Sequence, residues 1–117
     1  MTQSKSRRRG IKPTATELVA RYFELAPRVD AEPYFAQFAH DAIAEDEGVT
    51  HYGIEAIRAW RATVPLVTYS VRDVQSVGDE HIARAAITGE FPGSPVTLAF
   101  GFTFADDGRI QTLAIRV

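Results

Sequence analysis

Cysteine is absent from the 117 residues. That excludes disulfide frameworks, thiolate zinc sites, iron–sulfur clusters and a cysteine nucleophile. A disulfide-free chain fits a reducing compartment, so a cytoplasmic protein is expected. Long apolar runs are missing too: no stretch approaches the ~18 residues that span a bilayer, and no membrane partner is expected. The head Met1–Lys12 is polar and cationic with no apolar run behind it, so it does not read as a secretory signal. The three histidines, His40, His51 and His81, form no pair one helical turn apart, so no metal site is expected. There is no phosphate loop and no dinucleotide fingerprint. Ser94 lies in a proline-rich turn rather than a nucleophile elbow. No cofactor is implied.

What is present suits one soluble domain. The length is that of a single domain, and a chain of this size buries roughly two-thirds of its unfolded surface. An apolar fraction of 45% and a charged fraction of 24% exclude a disordered chain or a coiled coil. The net charge of −2 hides an asymmetry. Lys5, Arg7, Arg8, Arg9 and Lys12 crowd the head, whereas residues 13–117 set eight arginines against fifteen acids, a net −7. The acidic body offers no basic face to a phosphate backbone, so no nucleic-acid partner is expected. Residues 1–13 read as a disordered basic tail and 14–117 as the domain.

Thr14 and Glu17 form a capping-box signature. Leu18, Val19, Tyr22, Phe23 and Ala26 follow at helical spacing until Pro27. Asp30 caps a second short helix, with Pro33 in its first turn and Tyr34, Phe35, Phe38 and Ala39 on its apolar face. Ala42–Glu45 reads as a short extended piece. A third helix after Gly53 carries Ile54, Ile57, Trp60, Arg61 and Val64 and ends at Pro65. The period then changes to two: Val67, Tyr69 and Val71; Ala83, Ala85, Ile87 and Phe91; Val96 to Phe104; and Ile110–Val117. Turn signals at 77–80, 92–95 and 106–108 separate these runs, which predicts a four-strand antiparallel meander. The layout is α+β, with three N-terminal helices packed on one face of a curved sheet.

The residues left to do chemistry are acidic and phenolic. Glu45-Asp46-Glu47 ends the extended piece, and strand alternation allows Asp46 to point inward while its neighbours face water. A carboxylate facing an apolar cavity loses hydration and becomes a usable proton acceptor. From composition alone the three read first as solvated loop acids. Tyr22, on the apolar face of the first helix, is either a core phenol or a donor to a substrate oxygen. Phe38, Trp60, Phe91, Phe100, Phe102 and Phe104 fill a closed core or line an apolar pocket. His51 is read as facing water near the pocket mouth.

Ala20-Arg21-Tyr22-Phe23-Glu24-Leu25, Phe38-Ala39-His40-Asp41-Ala42, Glu45-Asp46, Gly53 with Ile57, and the closing Phe104 with Gly108-Arg109-Ile110-Gln111-Thr112 resemble the bacterial ketosteroid isomerases and SnoaL-like polyketide cyclases of the NTF2-like superfamily. The resemblance spans nearly all of 14–117. It implies a cone, a strongly bent mixed sheet around the first helix with a deep apolar pocket, and a homodimer. It implies that Tyr22 donates to a substrate carbonyl and Asp46 shuttles a proton between carbons. It implies a small apolar molecule against Phe38, Trp60, Phe100 and Phe102. Two departures stand out. Phe100 takes the place of the family's second oxyanion donor, a neutral aspartic acid in ketosteroid isomerase, and the Asp46–Gly53 loop is two residues shorter. The expectation is therefore an isomerase or cyclase acting alpha to a carbonyl, with a non-catalytic ligand-binding module as the alternative. A third reading, an interaction protein related to nuclear transport factors, has only the basic head in its favour.

Overall fold

The structure is a computed structural model that describes residues 13–117. The rest of the expected basic tail lies outside the described residues. Helix α1 spans Ala15–Leu25. Its start is fixed by a complete capping box: Thr14 Oγ1 accepts from the Glu17 N–H at 3.1 Å, and Glu17 Oε1 accepts from the Thr14 N–H at 2.8 Å. Val19, Tyr22, Phe23 and Leu25 form its buried stripe. Helix α2, Glu32–Ala36, is short, with Asp30 Oδ1 accepting from the Glu32 N–H just ahead of it.

Phe38 and Ala39, expected on α2, instead begin strand β1, Phe38–Asp46. Both are buried, as a helix face would be, but here the strand passes beneath the helices. A two-residue turn then leads to β2, Val49–Tyr52, a strand the residue pattern did not announce. Glu47 and Gly48 both have positive φ, the requirement of a tight hairpin. Helix α3 covers Gly53–Arg61 and buries Ile57 and Trp60. Strands β3 (Thr68–Val77), β4 (Glu80–Thr88), β5 (Val96–Phe104) and β6 (Ile110–Arg116) form the expected meander.

The six strands form one sheet in the order β2-β1-β6-β5-β4-β3. β1 pairs with β6 in parallel and every other pair is antiparallel, so the sheet is mixed. Register shifts between Phe38 and Ile43, Val71 and Asp73, and Thr103 and Phe104 bend it. The helices lie in the resulting concavity, and α1 packs against β3 and β4. Tyr22 sits at the centre of the ring cluster, with Phe23, Tyr34 and Phe102 centroids 5.1–5.3 Å away in tilted or edge-on contact. Among the described residues, no helix is long and apolar enough to cross a membrane.

Candidate functional site

Strand parity decides which acid enters the concavity. Asp46 pairs with Ile115 of β6, and Ile115 pairs with Phe100 of β5, all on the inner face. Glu45 points the other way, where Arg116 Nη2 donates to its Oε1 at 3.1 Å. Glu47 is exposed at the hairpin. Asp46 thus stands at the inner end of β1, against a hollow of about 250 Å³. Val64, Val67, Ile87, Val96, Leu98 and Ile115 supply its aliphatic wall, and Trp60, Tyr69, Phe91 and Phe100 its rings. Asp46, Glu47 and Arg61 are its charged members.

The Asp46 carboxylate is oriented by α3. Trp60 Nε1 donates to its Oδ2 at 3.0 Å, while Oδ1 has no hydrogen-bond partner among the described residues. His51, read from the sequence as facing water, is half-buried and stacked on the Trp60 ring, with centroids 5.6 Å apart at 27°. Arg61 follows Trp60 on the same helix. Its guanidinium lies 4.3 Å over the Tyr34 ring, and Nη2 donates to the Ala26 carbonyl at 2.9 Å and to the Tyr69 hydroxyl at 3.4 Å. No ion pair joins Arg61 to a carboxylate among the described residues.

Tyr22 is placed differently from the implied donor. Its ring is fully buried, and its hydroxyl lies 2.8 Å from that of Tyr34, equally enclosed. Neither phenol lines the hollow, whereas Phe100 does, and its ring lies 6.2 Å from the Tyr22 ring. Burial, then the neighbouring Tyr34, pushes the Tyr22 phenol well above its usual range, and burial pushes Tyr34 up to about 12. Phe38 and Phe102, expected to contact a ligand, pack instead against Tyr34 and Tyr22, because α1 and α2 fill that part of the concavity. Trp60 and Phe100 do line the hollow. Asp46, Trp60 and Phe100 are therefore brought together, and Tyr22, Phe38 and Phe102 form the layer behind them. Tyr69 and Arg61 are the hollow's additional polar members. The sequence signal for Arg61 was its position on the apolar stripe of α3, where a cation needs a reason to be.

A mixed sheet bent around a helix, with a polar-tipped apolar hollow inside, defines the NTF2-like class of α+β domains. A family model for the SnoaL-like domain matches residues 19–112, and the chain belongs to that family. It is 37% identical to the Sinorhizobium meliloti protein SMa1630, described as a "putative polyketide cyclase", over 85% of this chain and 93% of that one, with a TM-score of 0.77. A Sphaerobacter thermophilus protein is 23% identical over 87% of this chain and 94% of its own, TM-score 0.74. A Catenulispora acidiphila protein of ketosteroid isomerase-like fold, solved with trimethylamine, is 20% identical over 89% and 87%, TM-score 0.72. These last two likenesses concern the fold. No curated protein matches the chain.

Proposed function

We propose that this chain is a small-molecule enzyme in which Asp46 removes a proton alpha to a carbonyl of an apolar cyclic substrate. The observation that carries the reading is a half-buried carboxylate on the inner sheet face. Trp60 holds one of its oxygens, and the other is without a partner among the described residues, at a hollow walled by aliphatic and aromatic side chains. A base needs a free lone pair and a fixed direction, and this arrangement supplies both, beside a largely apolar wall. The hollow lies below the ~300 Å³ where ordinary ligand pockets begin, which favours a one- or two-ring substrate over a four-ring skeleton. The polyketide cyclase description of the 37% identical relative is consistent with carbanion chemistry on such rings. Tyr22, spent on Tyr34, supports the wall behind Phe100.

The test is exchange of alpha protons in deuterated buffer, followed by NMR on cyclohexenone and tetralone. Wild type is expected to accelerate exchange, and Asp46→Asn to lose at least a hundredfold of that acceleration. Unchanged exchange in the variant overturns the reading. The second reading, a ligand-binding module without turnover, is favoured by Phe100, which offers no donor where the family has one. Tight binding of the same ketones with no exchange above buffer would select it. A homodimer in the cytoplasm belongs to the proposal as well, and sedimentation at two concentrations tests the dimer.

A further inference from the structure

Proton removal next to a carbonyl leaves negative charge on the carbonyl oxygen, and the wall of the hollow holds a cation, Arg61, that makes no ion pair with a carboxylate among the described residues. Arg61 carries five N–H donors. Among the described residues only Nη2 is engaged, by Ala26 and Tyr69. No fully buried polar side-chain atom among the described residues lacks a partner, so the remaining guanidinium donors are not sealed away, at a residue that lines the hollow. The position is also built. The Tyr34 ring lies beneath the guanidinium, the Ala26 carbonyl at the end of α1 anchors it, and the Tyr69 hydroxyl lies alongside. A half-buried cation without an acidic partner favours an anion that arrives with the ligand.

We propose that Arg61, with the Tyr69 hydroxyl beside it, is the anion seat of the hollow. Its ligands are small apolar rings carrying an oxygen that is anionic or becomes so. This rests on the reading of Asp46 as the base in the same hollow. In the step, the proton leaves carbon for the Asp46 carboxylate, the C–H electron pair forms the enolate double bond, and the carbonyl π pair settles on oxygen facing Arg61. The negative charge lost at Asp46 reappears on the substrate oxygen beside Arg61, so the site with its ligand keeps its net charge. Arg61 thereby serves where Phe100 cannot.

The experiment uses 4-nitrophenol, whose visible absorbance distinguishes phenol from phenolate, so ionisation is read without any turnover. Bound to the wild-type chain, the probe is expected to ionise at lower pH than it does free. Arg61→Met is expected to weaken phenolate binding by about 10- to 100-fold, the worth of a charge-assisted hydrogen bond, and to reverse the preference toward the neutral phenol. Tyr69→Phe weakens it by a few-fold, and Arg61→Lys retains part of it. If Arg61→Met does not fold, the wild-type titration and the Arg61→Lys and Tyr69→Phe variants decide. Wild-type binding of the neutral form as tightly as the anion overturns the proposal, and so does a folded Arg61→Met that keeps the anion preference. Asp46→Asn separates the two claims. It is expected to hold the phenolate at least as tightly as wild type while losing exchange. Exchange that survives Asp46→Asn removes the base assignment and leaves the anion seat to be judged by the probe alone.

Discussion

Substituting Tyr22 by Phe separates the two roles that phenol can have. Its hydroxyl and that of Tyr34 share one bond of 2.8 Å, with both rings almost wholly enclosed. Deleting one hydroxyl leaves the other buried and unpartnered, at a cost of about 1–3 kcal/mol. Deleting both removes the bond and the stranded group together, so Tyr22→Phe/Tyr34→Phe is expected to be no less stable than either single variant. The coupling energy across the cycle is then about 1–3 kcal/mol. Each single variant should lower Tm by about 4 °C per kcal/mol lost, and urea unfolding gives the free energies directly. In the exchange assay, Tyr22→Phe should retain activity within a few-fold, because the hydroxyl does not reach the hollow. Strict additivity of the two single variants refutes the shared bond. A Tyr22→Phe variant of full stability that loses exchange a hundredfold shows that the hydroxyl meets the substrate instead.

The same pair makes the fold sensitive to alkali. Burial raises both phenols, Tyr34 from 10.0 to about 12, so the unfolded chain ionises first as pH rises. Stability is therefore complete below pH 10 and falls progressively toward pH 12, and chemical denaturation across that range should show the decline. Trp60→Phe removes the donor to Asp46 while keeping most of the ring. We expect a stability loss of about 1–2 kcal/mol and a several-fold fall in exchange rate as the carboxylate loses its fixed direction, read by urea unfolding and by NMR. Thr14→Ala breaks the capping box of α1 and should cost about 1 kcal/mol, with exchange unaffected, as thermal unfolding and the exchange assay will report.

The meander was legible because its residues obey period two between strong turn signals, as in Ala83, Ala85 and Ile87 after Gly78-Asp79. Three features were not. Phe38 and Ala39 are adjacent and both buried, which imitates a helix end, whereas the shift between Phe38 and Ile43 breaks the alternation of a strand. β2 is short and mostly exposed, so it has no apolar period. Its turn uses Glu47-Gly48 rather than the usual Asn-Gly or Asp-Gly, placing glutamate at φ 48°. The parallel match of β1 with β6 joins residues about 70 apart and leaves no local trace. At the site, parity allowed Asp46 to point inward, and the family resemblance favoured that over a solvated loop acid. Helical spacing placed Tyr22 and Tyr34 on apolar faces without revealing that the two hydroxyls satisfy each other. Arg61 was visible on the stripe of α3, but its neighbours Ala26 and Tyr69 come from other elements, and only the folded chain brings them together.

The strand made last in chain order, β6, lies third across the sheet, between β1 and β5. During synthesis the β1–β2 hairpin and the β3–β4–β5 meander therefore emerge as two unjoined pieces of sheet. Ile115, which touches the hollow and stands between Asp46 and Phe100, is in that joining strand. The hollow is complete only once β6 has joined the two pieces, so a ligand that binds there also reports that the sheet has closed.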